Sequence, residues 1–268
     1  MTRFIHLTDL HVCHPSAGAP SHKAANPETV ARVVTLINAM PHQPDFVVAS
    51  GDLADKGDEA SYRMFRDLMA PLRAPLVMAL GNHDKRAGFH NTLGTPGSEA
   101  PYCHDTALAG LHIITLDTLV PEHVAGAICD AQFAFLEAAL TRHPGLPKLI
   151  VMHHPPRIDP DGLPWGSIDM ESTGRLAETL AGHNIAGILS GHIHINRISH
   201  WHGIPLVVNC GLDTGIDILE TTDLRLVEST GFAICDWRAS GLTATFVPLT
   251  PEPAEIGRID RARLLTFT

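Results

Sequence analysis

The stretch Pro75-Leu76-Val77-Met78-Ala79-Leu80-Gly81-Asn82-His83-Asp84 passes in one step from an unbroken apolar run to a glycine and three polar side chains. A run of this length, rich in Leu, Val and Met, predicts a fully buried strand rather than an amphipathic helix. The same arrangement recurs along the chain. Arg3–Thr8 leads into Asp9-Leu10-His11, and Asp45–Ser50 into Gly51-Asp52. Lys148–His153 ends in His153-His154, and Ile185–Ser190 leads into Gly191-His192-Ile193-His194. Leu111–Leu116 reads as one further strand of the same kind.

Helical patterns separate these runs. Asn26-Pro27-Glu28 supplies an N-cap, a proline at the first helical position and an acid in the first turn, with Val30, Val33, Val34 and Ile37 on one face beyond it. A second helix starts near Asp58 with a stripe of Tyr62, Phe65, Met69 and Leu72. A third starts near Asp130 with Phe133, Leu136 and Leu140, and a fourth spans roughly Thr173–His183. After Gly203 the pattern changes to Pro205–Asn209, Phe232–Asp236 and Leu242–Val247, strands without long helices between them. The sequence therefore reads as an α/β chain with a β-rich part from about residue 204. Without a repeat or a linker, residues 1–268 read as one domain.

Composition narrows the function. Of 268 residues, 44% are hydrophobic and 18% charged, which suits a packed core. Nineteen Lys and Arg against 29 Asp and Glu leave a net charge of −10. That balance argues against a protein that grips nucleic acid through its phosphates. No apolar run reaches the roughly 20 residues of a membrane span, and Met1–Asp9 has no signal-peptide pattern, so a cytoplasmic protein is expected. Five cysteines, without a CxxC pair, read as reduced thiols. The 18 histidines invite a metal, although solvated surface positions are expected for at least half of them.

In open α/β sheets, ligands bind beyond the carboxyl ends of the strands. Five strands here deliver Asp, His and Asn to that edge. Residues two apart on extended chain point the same way, which accounts for Asp-x-His and His-x-His. The glycines before Asp52, Asn82 and His192 are read as permitting sharp turns. Counting Asp9, His11, Asp52, Asn82, one of His153 and His154, His192 and His194 gives seven N/O donors and no thiolate, a set suited to Mn, Fe, Co, Ni or Zn. Seven exceeds one site that must also admit water and substrate, so two divalent metal ions sharing a carboxylate are expected. Such a pair can clamp the attacking and leaving oxygens of an in-line displacement.

In this order the motifs Asp9-x-His11, Gly51-Asp52, Gly81-Asn82-His83-Asp84, His153-His154 and Gly191-His192-Ile193-His194 resemble the calcineurin-like metallophosphoesterase superfamily. Chain size, the spacing to His153-His154-Pro155-Pro156 and the form of that motif are most similar to class III cyclic nucleotide phosphodiesterases and bacterial glycerophosphodiesterases. The resemblance implies a four-layer αββα sandwich of two mixed β-sheets with a dinuclear site at the strand ends. It implies a first metal on Asp9, His11, Asp52 and His194, and a second on Asp52, Asn82, His153 and His192. His153 is favoured over His154, which becomes a neighbour of the ligands or of substrate. His83 contacts the phosphate and assists the leaving group, with Asp84 as its orienting partner. Purple acid phosphatases carry a tyrosinate three residues after the shared Asp. Asp55 stands there, which excludes that variant.

The implied activity is hydrolysis of a small-molecule phosphodiester, of 3',5'-cyclic nucleotide or glycerophosphodiester type, by a hydroxide held on the metals. The alternatives are a phosphomonoesterase or nucleotide pyrophosphatase on the same core, and a non-catalytic sensor that kept the fold. No membrane or specific nucleic-acid partner is expected, and a homo-oligomer stays open. Cys210 reads first as a small buried hydrophobe near the site. The loops carrying His14, His22, Lys23, Arg86, His90, Arg157, Trp165, His200 and His202 are expected to border the groove, each residue reading singly as solvated.

Overall fold

The computed structural model describes residues 1–21 and 27–250; Asn26, His22 and Lys23 lie outside the described residues. In chain order come Thr2–Leu7 (β1), Pro27–Asn38 (α1), Phe46–Ser50 (β2), Glu59–Met69 (α2), Leu76–Ala79 (β3), Arg86–Thr92 (α3), His104–Leu108 (β4), Leu111–Thr115 (β5) and Asp130–Thr141 (α4). Lys148–Val151 (β6), Met170–Leu180 (α5), Ile185–Ser190 (β7), Arg197–Trp201 (β8), Ile204–Val208 (β9), Gly215–Ile216 (β10), Leu226–Val227 (β11), Thr230–Arg238 (β12) and Gly241–Thr250 (β13) follow.

One sheet has the order β13-β12-β1-β2-β3, the other β4-β5-β6-β7-β9-β8. Both are mixed. Strands β1, β2 and β3 are parallel, with β12 and β13 added antiparallel. Strands β5, β6, β7 and β9 are parallel, and β4 and β8 close the two edges antiparallel. Alternation along the strands sorts side chains to two faces. On β1 and β2, Ile5, Leu7, Val47 and Ala49 meet Val30, Val33 and Ile37 of α1 and Tyr62 and Phe65 of α2. Phe4, Phe46 and Val48 turn the other way, against Ile113, Leu149 and Leu189 of the second sheet. Beyond that sheet, Ile114, Ile150 and Ile188 pack on Phe133, Leu136 and Leu176 of α4 and α5. The result is the expected four-layer αββα sandwich.

The starts of α2 and α5 have a side-chain cause. Asp58 accepts the backbone N–H of Ser61 at 2.9 Å, and Asp169 accepts that of Ser172 at 2.6 Å. Because Asp169 is the cap, α5 begins at Met170 and ends at Leu180, earlier at both ends than the expected Thr173–His183. Helix α3 and strands β4 and β8 have no counterpart in the sequence reading. The two strands are edges, half-buried or exposed except at Trp201, and carry no apolar run. No helix among the described residues is long and apolar enough to cross a membrane.

Candidate metal centre

The carboxyl ends of β1, β2, β3, β6 and β7 converge. Past the end of β1, the N–H of Asp9 donates to the carbonyl of Gly51 at 3.1 Å, and those of Leu10 and His11 donate to that of Asp52, both at 2.9 Å. These bonds hold the first two motifs side by side. Five of the seven candidate ligands have left-handed backbone: Asp9 (φ 49°), His11 (44°), Asp52 (50°), His192 (71°) and His194 (49°). Only nine non-glycine residues among those described do so. Such backbone is costly for residues with a Cβ, and its concentration at one place marks a site that the surrounding fold holds in shape.

Of the three glycines read as turn formers, Gly51 (φ +111°) fits that reading. Gly81 and Gly191 do not adopt left-handed backbone; their need is close approach. A Cβ on Gly81 would meet the carboxylate of Asp52, its backbone nitrogen at 2.6 Å and a ring carbon of His153 at 2.7 Å. One on Gly191 would run into the Thr8 hydroxyl and the Asp9 carboxylate.

Asp9 and Asp52 sit buried at the middle. The N–H of His192 donates to the Asp9 carboxylate at 3.1 Å, and that of His83 to Asp52 Oδ1 at 2.9 Å. Around them, Asp9 Oδ1 lies 3.2 Å from His194 Nε2, and Asp52 Oδ2 lies 3.2 Å from His153 Nε2 and 3.5 Å from His11 Nε2. The opposite ring nitrogens are committed to backbone carbonyls. His153 Nδ1 donates to Ser50 O (3.0 Å), His192 Nε2 to Trp165 O (2.6 Å) and His194 Nδ1 to Thr214 O (2.7 Å). A carbonyl only accepts, so each bond places a proton on the nitrogen that faces it and leaves the other nitrogen as the one that can bind an ion, in exchange for any proton it carries.

Burial opposes ionisation of Asp9 and Asp52, yet the facing histidines outweigh it and hold both below the usual carboxylate range. In return, against burial, Asp9 lifts His194 to about 9, and Asp52 lifts His153. The cluster thus draws positive charge to its middle. Ligand atoms of Asp9, His11 and His194 lie within 4.8 Å of one another, as do those of Asp9, Asp52 and His153. Asn82 Oδ1 is buried with no hydrogen-bond partner, a spare oxygen donor beside them. Metal–ligand bonds of about 2.0–2.2 Å put neighbouring donors roughly 3 Å apart, close to the spacing found here. The residues fit divalent ions.

His154 brings a ligand atom within 4.8 Å of those of His153 and His192, but its nitrogens have other partners. Its Nδ1 pairs with Thr118 Oγ1 at 2.7 Å and its Nε2 donates to Val124 O at 2.9 Å, so both nitrogens are taken. Asp84 does not orient His83. Its carboxylate accepts the N–H groups of Leu53, Ala54 and Gly81 and the hydroxyl of Tyr62, at 2.9–3.1 Å, and so pins together the loops that carry Asp52 and Asn82. Asp55 takes the place expected of Asp84. Its backbone carbonyl lies 3.0 Å, and its Oδ1 3.6 Å, from His83 Nδ1, and Oδ1 is 3.4 Å from His11 Nδ1. The sequence carried only a faint signal for it, a second acid three residues after Asp52.

Cys210 is buried, and burial pushes its pKa up to about 11, which keeps it a thiol. Arg86 and His90 are not solvated: Arg86 pairs with buried Asp117 at 2.8 Å, and buried His90 reaches Ala100 O at 3.0 Å. His14 is half-buried, its N–H donating to Ser61 Oγ at 2.9 Å; Arg157 braces its own loop through Pro160 O and Gly162 O, and His200 and His202 are exposed. Against the expectation that half or more of the histidines are solvated, six of the 17 described are exposed and eight are buried. Five of the eight gather at this centre. Away from the centre, a trio of Asp105, His112 and His143 lies towards the amino-terminal end of β5, where Arg142 and His112 Nε2 already hold Asp105 at 2.7 Å each.

A cavity of about 360 Å³ opens on the centre, with Asp52, Asn82, His83, His192 and His194 in its wall. Fold and site together define a dinuclear metallohydrolase. The sequence profile described as calcineurin-like phosphoesterase matches residues 2–196. A probable cyclic nucleotide phosphodiesterase of Rhodococcus erythropolis is 31% identical over 210 residues, 76% of this chain and 68% of that protein. A glycerophosphodiester phosphodiesterase of Enterobacter lignolyticus is 31% identical over 176 residues, 62% of this chain and 59% of that protein. Among solved structures, a dimetal phosphatase from Danio rerio superposes with a TM-score of 0.63 at 12% identity, covering 87% of this chain and 92% of that one, a likeness of fold. The chain belongs to the calcineurin-like phosphoesterase family, and is a metal-dependent phosphodiesterase of it.

Proposed function

We propose that the chain hydrolyses small phosphodiesters, of 3',5'-cyclic nucleotide or glycerophosphodiester type, with the seven residues in named roles. Asp9, His11, Asp52 and His194 hold one divalent ion, and Asp52, Asn82, His153 and His192 the other, with Asp52 shared. Bound there, Mn, Fe, Co or Zn supplies Lewis acidity toward the phosphoryl oxygens and a water of lowered pKa. The observation that carries this reading is the set of three carbonyl bonds at His153, His192 and His194, which prepares each ring to offer one nitrogen as a ligand.

His83 lines the cavity, and its Nδ1 is held by Asp55. Burial works against protonation of this ring, but Asp55 and Asp52 outweigh it and raise the pKa to about 9. With Nδ1 held by Asp55, Nε2 is the nitrogen left to give a proton to the departing alkoxide. No Lys or Arg is among the described residues lining the cavity, so it offers no guanidinium or ammonium group for the second negative charge of a monoester. That favours a diester.

The three apolar clusters share strands across both sheets, which supports reading the chain as one domain, and five free thiols suit a reducing, cytoplasmic setting. The test is metal analysis of the purified protein, together with turnover of bis(p-nitrophenyl) phosphate and p-nitrophenyl phosphate. Two divalent ions per chain and faster diester cleavage are expected. Cleavage that is indifferent to chelation, or faster on the monoester, would overturn the reading.

A further inference from the structure

The wall of the cavity opposite the polar residues is apolar. Val124, Trp165, Ile216, Leu224 and Leu226 form it, from three separate segments. Three of these residues are tied by their own backbone to histidines of the centre. The carbonyl of Val124 accepts from His154 Nε2 at 2.9 Å, that of Trp165 accepts from His192 Nε2 at 2.6 Å, and the N–H of Ile216 donates to the carbonyl of His194 at 3.3 Å. Leu226 is the register partner of Ile216 across the β10–β11 hairpin. The apolar wall is therefore built to a fixed position relative to the metal-binding side chains.

Much of it faces water. Val124 is 54% exposed, Leu224 56% and Leu226 44%. The Trp165 ring stands edge-on to that of His192, with centroids 5.5 Å apart. Apolar side chains held open to solvent in a concave site are the usual lining for an apolar ligand group. The polar side of the same cavity would take the phosphate, leaving the substituent of the ester against this wall. A glycerol-type alcohol has little apolar surface to bury against leucine and valine. A flat ring would cover the wall and meet the indole.

We propose that Val124, Trp165, Ile216, Leu224 and Leu226 form a subsite for a planar, largely apolar substituent on the diester, such as a nucleobase or aryl ring. The subsite makes the enzyme select ring-bearing diesters over glycerol-type ones. This rests on the phosphodiesterase reading above and extends it to the substrate's organic part.

Two phosphonates with the same anionic head, phenylphosphonate and methylphosphonate, isolate the contribution of the ring. Their binding to the metal-loaded protein is measured by calorimetry, without turnover. The phenyl compound should bind at least about tenfold more tightly, the order expected for removing a ring from water. In the double variant L224S/L226S, and separately in W165L, that advantage should shrink to about twofold or less. In L224S/L226S methylphosphonate should bind as before. Leu224 and Leu226 are exposed enough that serine should not disturb folding, and W165L, which keeps the backbone carbonyl, gives an independent second probe.

In parallel, the ratio of kcat/KM for 3',5'-cyclic AMP to that for glycerophosphocholine should exceed one in the parent and fall about tenfold in L224S/L226S. Equal binding of the two phosphonates by the parent protein overturns the subsite. So does an undiminished phenyl advantage in both variants. If the loaded protein cleaves neither diester, the phosphodiesterase reading fails, while the phosphonate comparison still decides whether the wall binds a ring.

Discussion

Nδ1 of His83 faces Asp55 twice: the backbone carbonyl at 3.0 Å and the buried side-chain Oδ1 at 3.6 Å. The same Oδ1 stands 3.4 Å from His11 Nδ1, and the rings of His11 and His83 meet edge to face at 4.5 Å. One buried carboxylate thus sits behind a proposed metal ligand and a proposed acid at once. Asp55 is itself held by the N–H of Ser21 at 2.9 Å and by Lys56 at 3.3 Å.

Asp55→Asn keeps the shape and removes the charge. Partners behind metal-bound and catalytic histidines typically contribute about 10–100-fold to metal affinity or activity. Turnover of diesters with aliphatic leaving groups should fall by about that factor. Cleavage of bis(p-nitrophenyl) phosphate should fall less, because p-nitrophenolate leaves without a proton. Parallel kinetics on both substrates check this; an unchanged rate on both would remove Asp55 from the mechanism.

His83→Ala should retain two ions per chain, because none of the proposed coordination uses His83. Its turnover should drop by about 10²–10⁴-fold, the usual worth of a positioned acid, and more for an aliphatic alcohol than for p-nitrophenolate. Metal analysis beside the two rates decides it. Loss of an ion, or an equal loss on both leaving groups, would contradict the role.

The strands that carry this site were legible because central parallel strands are buried on both faces and read as continuous apolar runs. The side chains at their ends were legible for a related reason: Asp, His and Asn directly after an apolar run have no packing purpose there. Elements that bury one face or less, such as β4, β8 and the two-residue strands β10 and β11, leave no such run. Asp55 and Asp84 show the other limit. Adjacency made Asp84 the natural partner for His83, but the tight turn in which Asp84 N–H donates to Gly81 O sends its carboxylate back to Gly81, Leu53 and Ala54. The loop after Asp52 brings Asp55 under the ring instead. Which acid serves which histidine is decided by tertiary geometry, not by neighbourhood in the chain.

Gly81→Ala tests the close approach of the second and third motifs. A methyl group there would collide with the Asp52 carboxylate and the His153 ring, both proposed ligands of one ion. The chain should still fold, since the left-handed region is not required at this position. Its metal content should fall below two per chain, and diester turnover by more than about tenfold. Asp52→Ala sets the limiting case, with both ions or nearly all activity lost. Full occupancy and parental turnover in Gly81→Ala would show that the site yields to a Cβ without consequence.

The last expectation concerns His6, in β1, whose ring is fully buried with Nε2 2.8 Å from Ser50 Oγ. Burial pushes its pKa down to about 3, and the charge of Asp9 pulls only weakly the other way. In the unfolded chain the value returns to about 6.5. A histidine kept neutral by folding contributes stability above its unfolded pKa, and that contribution is lost as pH falls from about 6.5 toward about 3. The unfolded state binds the proton first, so the slope approaches about 1.4 kcal/mol per pH unit. His6→Phe removes the titration while keeping a ring, and leaves Ser50 without its partner. At pH 7.5 the variant should therefore be less stable than the parent, by about 1–3 kcal/mol. Below pH 6 the gap should close, because the parent loses stability through this site and the variant does not. Urea unfolding of both proteins at pH 7.5, 6.5 and 5.5, each stripped of metal with chelator so that ligand protonation is common to both, measures the gap directly. A gap that stays constant across the series would mean that His6 takes up its proton equally well in the folded chain.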